Sequence, residues 1–412
     1  MLAMLMRPIA RALLGRMQSE LDSVPHPVDA PQYHAPGPDP DRVLIFGNGP
    51  AIGFGVRTQE LALPGQIGRR LVAVTGRGVD VDLVARRRTP VEAAVPLLGT
   101  LRLDRYDGVV LVVGATDAAA FLPLRRWRSA MSAMLAELTR ATAPVTPIVV
   151  LGIHSLRRSA LTSGLLGDLV DRHARRLNAI TRSLCEADPR LTFVERDDVR
   201  SAAVRYQSAE AFALLGEMIA PALVPGLTRA AQSPDGPRAV RRRPDPEQGR
   251  QAAVEALGLL DSAPEERFDR VVRMARTTFG TASAAVSLLD HDRWWAKSLA
   301  GPEAALPGAL PMEQPRGKTL CDRTVRSDEV LVIGDLAADP EVHPDLVAAG
   351  FRFYAGAPIE SPDGFRVGAL CVLDTAPRRA EDVDRAVLHQ LALRVQRELW
   401  ASQPEPPASV SR

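Results

Sequence analysis

A serine directly follows a histidine at His154-Ser155, and such a pair could supply a nucleophile and its base. Adjacent residues at a strand end point apart, however, so the pair reads as a polar loop after a strand. Gly47, Gly49, Gly53 and Gly55 form a glycine-rich strand-to-helix turn, a setting in which backbone N–H groups can hold phosphate. Their spacing fits neither a P-loop nor a dinucleotide fingerprint, and a tight turn accounts for them. Ala355, Gly356 and Ala357 put small residues in the middle of an apolar run, which lets another group approach a strand closely. The cysteines, Cys185, Cys321 and Cys371, are too scattered for a disulfide framework. No Cys-x-x-Cys pair exists, so no structural zinc or other metal site is expected, and no pattern names a cofactor.

The elements that must position these residues fall into two blocks. A chain of 412 residues predicts two or three domains. Residues 1–40 read as a lead-in, proline-rich from Val24 to Pro40, and 401–412 as a frayed tail. Between the blocks, residues 228–249 read as an interdomain linker, because Ala230–Gln248 combines prolines and an arginine run with no apolar periodicity. The first block, 41–227, alternates short apolar runs (Val43–Phe46, Val79–Val84, Val109–Val113, Ile148–Gly152, Leu191–Val194) with helical stretches such as Arg125–Thr142 and Leu165–Glu186. That alternation predicts an α/β parallel sheet covered on both faces.

The second block, 250–400, opens with a helical pair, and Ser262 with Glu265 reads as a capping box for the second helix. Strand-like runs follow, with Asp290, His291 and Asp292 as a polar turn between two of them. An amphipathic helix over Ala380–Leu399 closes the block, giving an α+β fold.

Composition narrows the function. Hydrophobic residues make up 46% and charged residues 24%, as in ordinary globular proteins, and the net charge of +2 gives a nucleic-acid partner no support. No apolar run reads as long enough to span a bilayer. Met1–Leu21 mixes apolar residues with Arg7, Arg11 and Arg16, which fits a short amphipathic helix better than a signal peptide or membrane anchor. A cytoplasmic location is expected.

Leu44–Val56, LIFGNGPAIGFGV, resembles the first motif of the SGNH/GDSL hydrolases, and VVGATDAAA (Val112–Ala120) resembles the motif that supplies an oxyanion-hole side chain. The resemblance implies a three-layer flavodoxin-like sandwich. It also exposes three departures. Asn48 and Gly49 stand where that family has Asp-Ser. Thr116, before Asp117, stands where it has Asn. RYQSAEAFALLGEMIAPAL, before and within the last helix, contains no histidine; the nearest preceding one is His173. Acyl transfer needs a nucleophile, a base and oxyanion donors together, so the expectation is a pseudo-hydrolase serving as a binding module.

The second block is similar to GAF domains of bacterial signalling proteins. LGLLDSAPEERFDRVVRMARTTFG, AAVSLLDHDRWWAKS, KTLCDRTV, VLVIGDLAADP, FRFYAGAPI and GALCVLDTAPR occur in that family's order. The resemblance implies a closed pocket on one face of a sheet, lined by Trp295, Cys321, Asp335, Phe353, Tyr354, Gly356 and Cys371. Phe353 and Tyr354 alternate, so only one of them can face it. Lys318 or Arg316 could hold a phosphate. The resemblance also implies a homodimer through the flanking helices. The whole chain then reads as a regulatory protein sensing a small ligand or a signalling partner. The rivals are an esterase with rearranged catalytic residues and a scaffold with an occluded pocket.

Overall fold

The computed structural model describes residues 23–29, 31–87, 89–155, 165–196, 208–302 and 310–401. The chain divides into two units, Met1–Val240 and Arg241–Arg412. The N-terminal helix expected over Met1–Leu21 and the tail from Ser402 lie outside the described residues.

In the first unit, strands β1 (Gln32–Ala35), β2 (Asp41–Gly47), β3 (Val79–Ala85), β4 (Gly108–Val112), β5 (Ile148–Leu151) and β6 (Leu191–Val194) form one sheet in the order β1-β3-β2-β4-β5-β6. Strands β2 to β6 are parallel, and counted among themselves they follow the doubly wound 2-1-3-4-5 order. Alternation along the strands loads both faces. Leu44, Phe46, Val109 and Leu111 pack under helices α2 (Val91–Leu98), α4 (Leu124–Ala141) and α5 (Leu165–Cys185). Val43, Ile45, Val110 and Val149 pack under α1 (Leu63–Thr75) and α6 (Ala209–Gln232). A short helix α3 (Ala115–Ala119) follows β4.

Three expectations change here. The lead-in contains β1, an antiparallel edge strand pairing Gln32 with Asp82; its four residues are free of proline, so each keeps a backbone N–H for the ladder. Helix α6 is long and apolar enough to cross a membrane by length and composition, because the run is interrupted only lightly by charge. Its Phe212, Leu215, Ile219, Leu223 and Leu227 are instead buried against the sheet. The linker is ordered. Helix α6 runs on to Gln232 and α7 (Pro237–Arg241) follows.

Buried ion pairs make that order possible. Arg238 binds Asp41 at 2.8 Å within the first unit. Within the second, Arg241 binds Asp328 at 2.8 Å, and Arg366 binds Asp245 at 2.8 Å with neither side chain more than 1% exposed. Arg366 also donates to the carbonyls of Arg241 and Arg243, at 3.0 and 2.6 Å. Composition alone could not reveal these partners, since they lie 87 to 197 residues away.

The second unit is a six-stranded antiparallel sheet, β7 (Ser283–Leu289), β8 (Arg293–Ala300), β9 (Glu313–Pro315), β10 (Leu331–Ile333), β11 (Phe353–Glu360) and β12 (Arg366–Asp374), in the order β10-β11-β12-β7-β8-β9. Helices α8 (Glu247–Leu257), α9 (Glu266–Phe279) and α12 (Arg385–Ala401) cover one face, so their apolar stripes pack on their own sheet. The short helices α10 (Cys321–Thr324) and α11 (Pro344–Ala348) cover the other. The capping box does not form. Glu265 is the N-cap of α9, while Ser262 donates to Leu259 O and receives Lys297 Nζ at 2.6 Å, because the buried Lys297 ammonium needs those oxygens.

Arg242 and Arg243 are exposed whereas Arg238 and Arg241 are buried. Trypsin should therefore cut the native chain after Arg242 well before Arg238 or Arg241, the Arg243–Pro244 bond being no trypsin site. Asp245→Ala strands the Arg366 guanidinium in the interior, at about 3–5 kcal/mol, and should speed cleavage across the whole stretch. Timed fragment masses read both effects. Rapid cutting of the unaltered chain after Arg238 would contradict the clamp.

Candidate functional site

In the first unit the two motifs meet. Parallel strands that wind in opposite directions open a crevice where the order reverses, here between the C-terminal ends of β2 and β4. Gly47 ends β2 with φ 154°, and a Cβ there would lie 1.8 Å from Val112 O of β4. Asn48 N donates to that same carbonyl at 2.8 Å. Gly49, at φ 57°, faces Ala115 across the crevice, 3.6 Å from where its own Cβ would stand.

The polar side chains there are engaged in holding the chain. Asn48 Nδ2 donates to Thr89 O at 2.8 Å, and Asp117 Oδ1 accepts from Val91 N at 3.2 Å. Both therefore pin the segment that enters α2. Thr116 is half-buried beside them. Burial pushes the Asp117 carboxyl up to about 6, against the N–H of Val91, which favours its charge.

The other groups singled out in this unit sit elsewhere. Ser155 donates to Asp171 Oδ2 at 2.5 Å, and burial, aided by Arg196, holds His154 well below the usual imidazole range. His173 is fixed to Leu122 O at 2.9 Å. Of the histidine-free stretch, residues 205–207 lie outside the described residues.

In the second unit the parity of the strands sorts the expected pocket residues. Tyr354 and Cys371 lie on the α10 face, with Cys321 above them. Trp295 and Phe353 lie on the opposite face among α9 and α12, so they are core and not pocket. The pocket tryptophan is Trp294. Asp335 sits near the surface, capping the turn at Leu336–Ala338 through Ala337 N and pairing with Arg352 at 2.8 Å.

Gly356, Cys371 and Ala285 stand side by side across β11, β12 and β7, forming a trough of small residues. The trough is not empty. A Cβ on Gly356 would fall 2.2 Å from Tyr354 Oη and 2.8 Å from Thr324 Oγ1, so the phenol lies over the glycine. The Tyr354 and Thr324 hydroxyls share a hydrogen bond of 2.6 Å, and Tyr354 donates to Cys321 Sγ at 3.5 Å. Cys321 and Cys371 Sγ are 3.8 Å apart. What remains is a cavity of about 20 Å³ bordered by Trp294, Leu320, Cys321, Tyr354, Cys371 and Leu373. That is room for about one water-sized molecule.

Hydrogen bonding with Cys371, and with Ser287, Tyr354 and Trp294, outweighs burial and pulls the Cys321 thiol down to about 7. The same contact and burial push Cys371 well above the usual thiol range. Burial keeps Tyr354 protonated, and therefore a donor. The basic residues proposed for phosphate are already paired: Arg316 with Asp322 (2.5 Å) and Glu247 (2.6 Å), Lys318 with Asp345 (2.6 Å). Arg316 borders an open cleft of about 440 Å³, with Arg250 and His291, that sequence reading missed.

The GAF domain family model matches residues 263–399. Residues 263–399 are a GAF domain. A curated relative, a cyclic di-GMP phosphodiesterase of Pseudomonas aeruginosa, is 34% identical over 139 residues, 33% of this chain. The chain spans 22% of that relative's length. Solved structures similar to the GAF domain include a free methionine-R-sulfoxide reductase of Neisseria meningitidis, at 18% identity and TM-score 0.28, covering 37% of this chain and 88% of that one. A lipase from a goat rumen metagenome is similar over 44% of this chain and 97% of its own, at 13% identity and TM-score 0.38.

Within the GAF domain, Trp294, Ser287 and Thr324 escaped sequence reading. Which tryptophan faces the chamber depends on strand parity, and the β7–β8 pairing shifts register between Val286 and Ser287.

Two outcomes follow. Gly356→Ala should destabilise the GAF domain by about 1–3 kcal/mol through overpacking. In a Tyr354→Ala background the same change should cost less, a coupling of at least about 0.5 kcal/mol in urea midpoints; additive effects would show that the ring does not occupy the trough. For Asp117, the folded carboxyl titrates near 6 against an ordinary 3.8, so the native state holds the proton more tightly. Stability present below pH 4 should be lost as pH rises through 6, by on the order of 2–3 kcal/mol. Urea unfolding of Asp117→Asn should lack that slope, and an unchanged slope would contradict the assignment.

Proposed function

We propose that the chain is a regulatory protein in which the GAF domain is the sensory module and the first unit is a binding module without hydrolytic chemistry. The observation that carries this reading is the engagement of Asn48 and Asp117 with the Thr89–Val91 segment, beside a Gly49 that offers no hydroxyl. Acyl transfer would need a nucleophile, a base and oxyanion donors converging on one point. The crevice instead presents side chains that hold the backbone together. The relative's activity on cyclic di-GMP supports a signalling setting for the GAF domain.

The closed chamber also favours a second, structural reading, in which the pocket is filled by its own side chains. At about 20 Å³ it admits a guest of about water's size unless Tyr354 or Trp294 turns out. A ligand larger than that would have to open it.

The purified chain should turn over short-chain nitrophenyl esters no faster than a denatured control. Turnover that disappears on Asn48→Ala or Asp117→Asn would restore the esterase reading. Native mass spectrometry of the full chain should show a small molecule retained by the GAF domain. A bare mass, with no thermal shift across a metabolite panel, would favour the occluded scaffold.

A further inference from the structure

The chamber under α10 contains two thiols in contact, hydroxyl donors, and an indole N–H. Trp294 is 2% exposed, and its indole N–H is among the groups that favour negative charge on Cys321. It is thus available to a charge developing on the neighbouring sulfur or to a small guest. Cys321 and Cys371 come from different elements, 50 residues apart, and their sulfurs meet at 3.8 Å. A disulfide needs about 2.05 Å, so the sulfurs, 3.8 Å apart, must close by about 1.8 Å. Two thiols held this way, beside a space for one very small molecule, make a site for a very small oxidant.

We propose that Cys321 and Cys371 are a thiol-oxidation site for hydrogen peroxide, converted to an intramolecular disulfide inside the GAF chamber. The proposal rests on the sensory reading of the GAF domain and names its stimulus.

The chemistry balances in two steps. The Cys321 thiolate attacks one peroxide oxygen; the S–O bond forms, the O–O bond breaks, and the leaving hydroxide takes up the thiol's proton as water. Cys321, oxidised by two electrons, is then a sulfenic acid. The Cys371 sulfur attacks Cys321 Sγ; the S–S bond forms, the S–O bond breaks, and the hydroxide leaves with the Cys371 proton as a second water. Two thiols and one peroxide give one disulfide and two waters.

The surroundings assign the order. The thiolate is the nucleophile, and it is Cys321 Sγ that receives the Tyr354 hydroxyl at 3.5 Å, which draws its thiol below the ordinary range while the contact with Cys321 and burial hold Cys371 above it. Tyr354 and Trp294 are placed to donate to the sulfur and to the departing oxygen. The size of the cavity excludes bulky disulfide oxidants. Cys185 is an internal control: its side chain is 4% exposed, and its thiol is pushed up to about 11.

The test uses the full chain, reduced and then exposed to hydrogen peroxide, with peptide mapping under non-reducing conditions. The expected result is a loss of two hydrogens' mass, a Cys321–Cys371 cross-linked peptide reversed by dithiothreitol, and oxidation at Cys321 at least about tenfold faster than at Cys185. Cys371→Ser should stop at the sulfenic acid, trapped on Cys321 when the oxidised chain is unfolded in the presence of dimedone. Cys321→Ser should give neither product. Melting curves of both variants check that they fold, and Cys321→Ala replaces any that does not. The proposal is overturned if Cys185 oxidises first, if the disulfide forms only between molecules, or if Cys371 oxidises as fast without Cys321. Hydrogen exchange separates the two readings. A disulfide that alters no exchange outside α10 leaves the oxidation site standing and removes the sensory role. Absence of the disulfide in a chain that retains another ligand does the reverse.

Discussion

Strand β11 is buried along its whole length, from Phe353 to Glu360, so it has no solvent face to absorb a misplaced side chain. Its two-residue period sends Phe353, Ala355, Ala357 and Ile359 against the helices and Tyr354 and Gly356 toward α10. A slip of one residue would exchange these sets and bury the phenol among aliphatic groups without a partner. The chamber follows from that parity. Tyr354 can lie along the strand only because Gly356 has no Cβ, and from there its hydroxyl reaches both Thr324 and Cys321. One hydrogen-bonded phenol therefore fixes the helix that carries the reactive thiol.

In the first unit the crevice of a doubly wound sheet is lined by side chains that hold its own backbone. The tight contact of Gly47 with Val112 O draws the ends of β2 and β4 together. Doubly wound sheets bind ligands at that position because the connections diverge there. Here Asn48 and Asp117 stabilise the Thr89–Val91 segment, each satisfying a buried backbone group that would otherwise cost on the order of 1–3 kcal/mol.

The buried arginines show a second kind of dependence. Arg366 gathers Asp245 and two backbone carbonyls from a stretch whose composition suggests a flexible tether. Removing a buried charge from water is costly, so such a guanidinium organises whatever acceptors can reach it. Prolines and arginines near Arg241 thus read as a linker in one dimension and serve as a clamp in three.

The sequence by itself determined the two blocks, their fold classes and the faces of the main strands, because apolar periodicity is local and repeats over several residues. It also determined that Gly49 carries no nucleophile, since that is a matter of residue type. It placed Cys321, Tyr354, Gly356 and Cys371 in one region through resemblance, and it put Trp295, Phe353 and Asp335 there wrongly. Only the tertiary structure decided which tryptophan faces the chamber, because a register shift between Val286 and Ser287 lies between the local pattern and the final parity. Only the fold closed the space above Gly356, brought two sulfurs to 3.8 Å and engaged Asn48 with Thr89. Each of these is a contact between residues that are distant along the chain or on different elements. Side-chain direction there is set by packing, and local sequence carries no record of it.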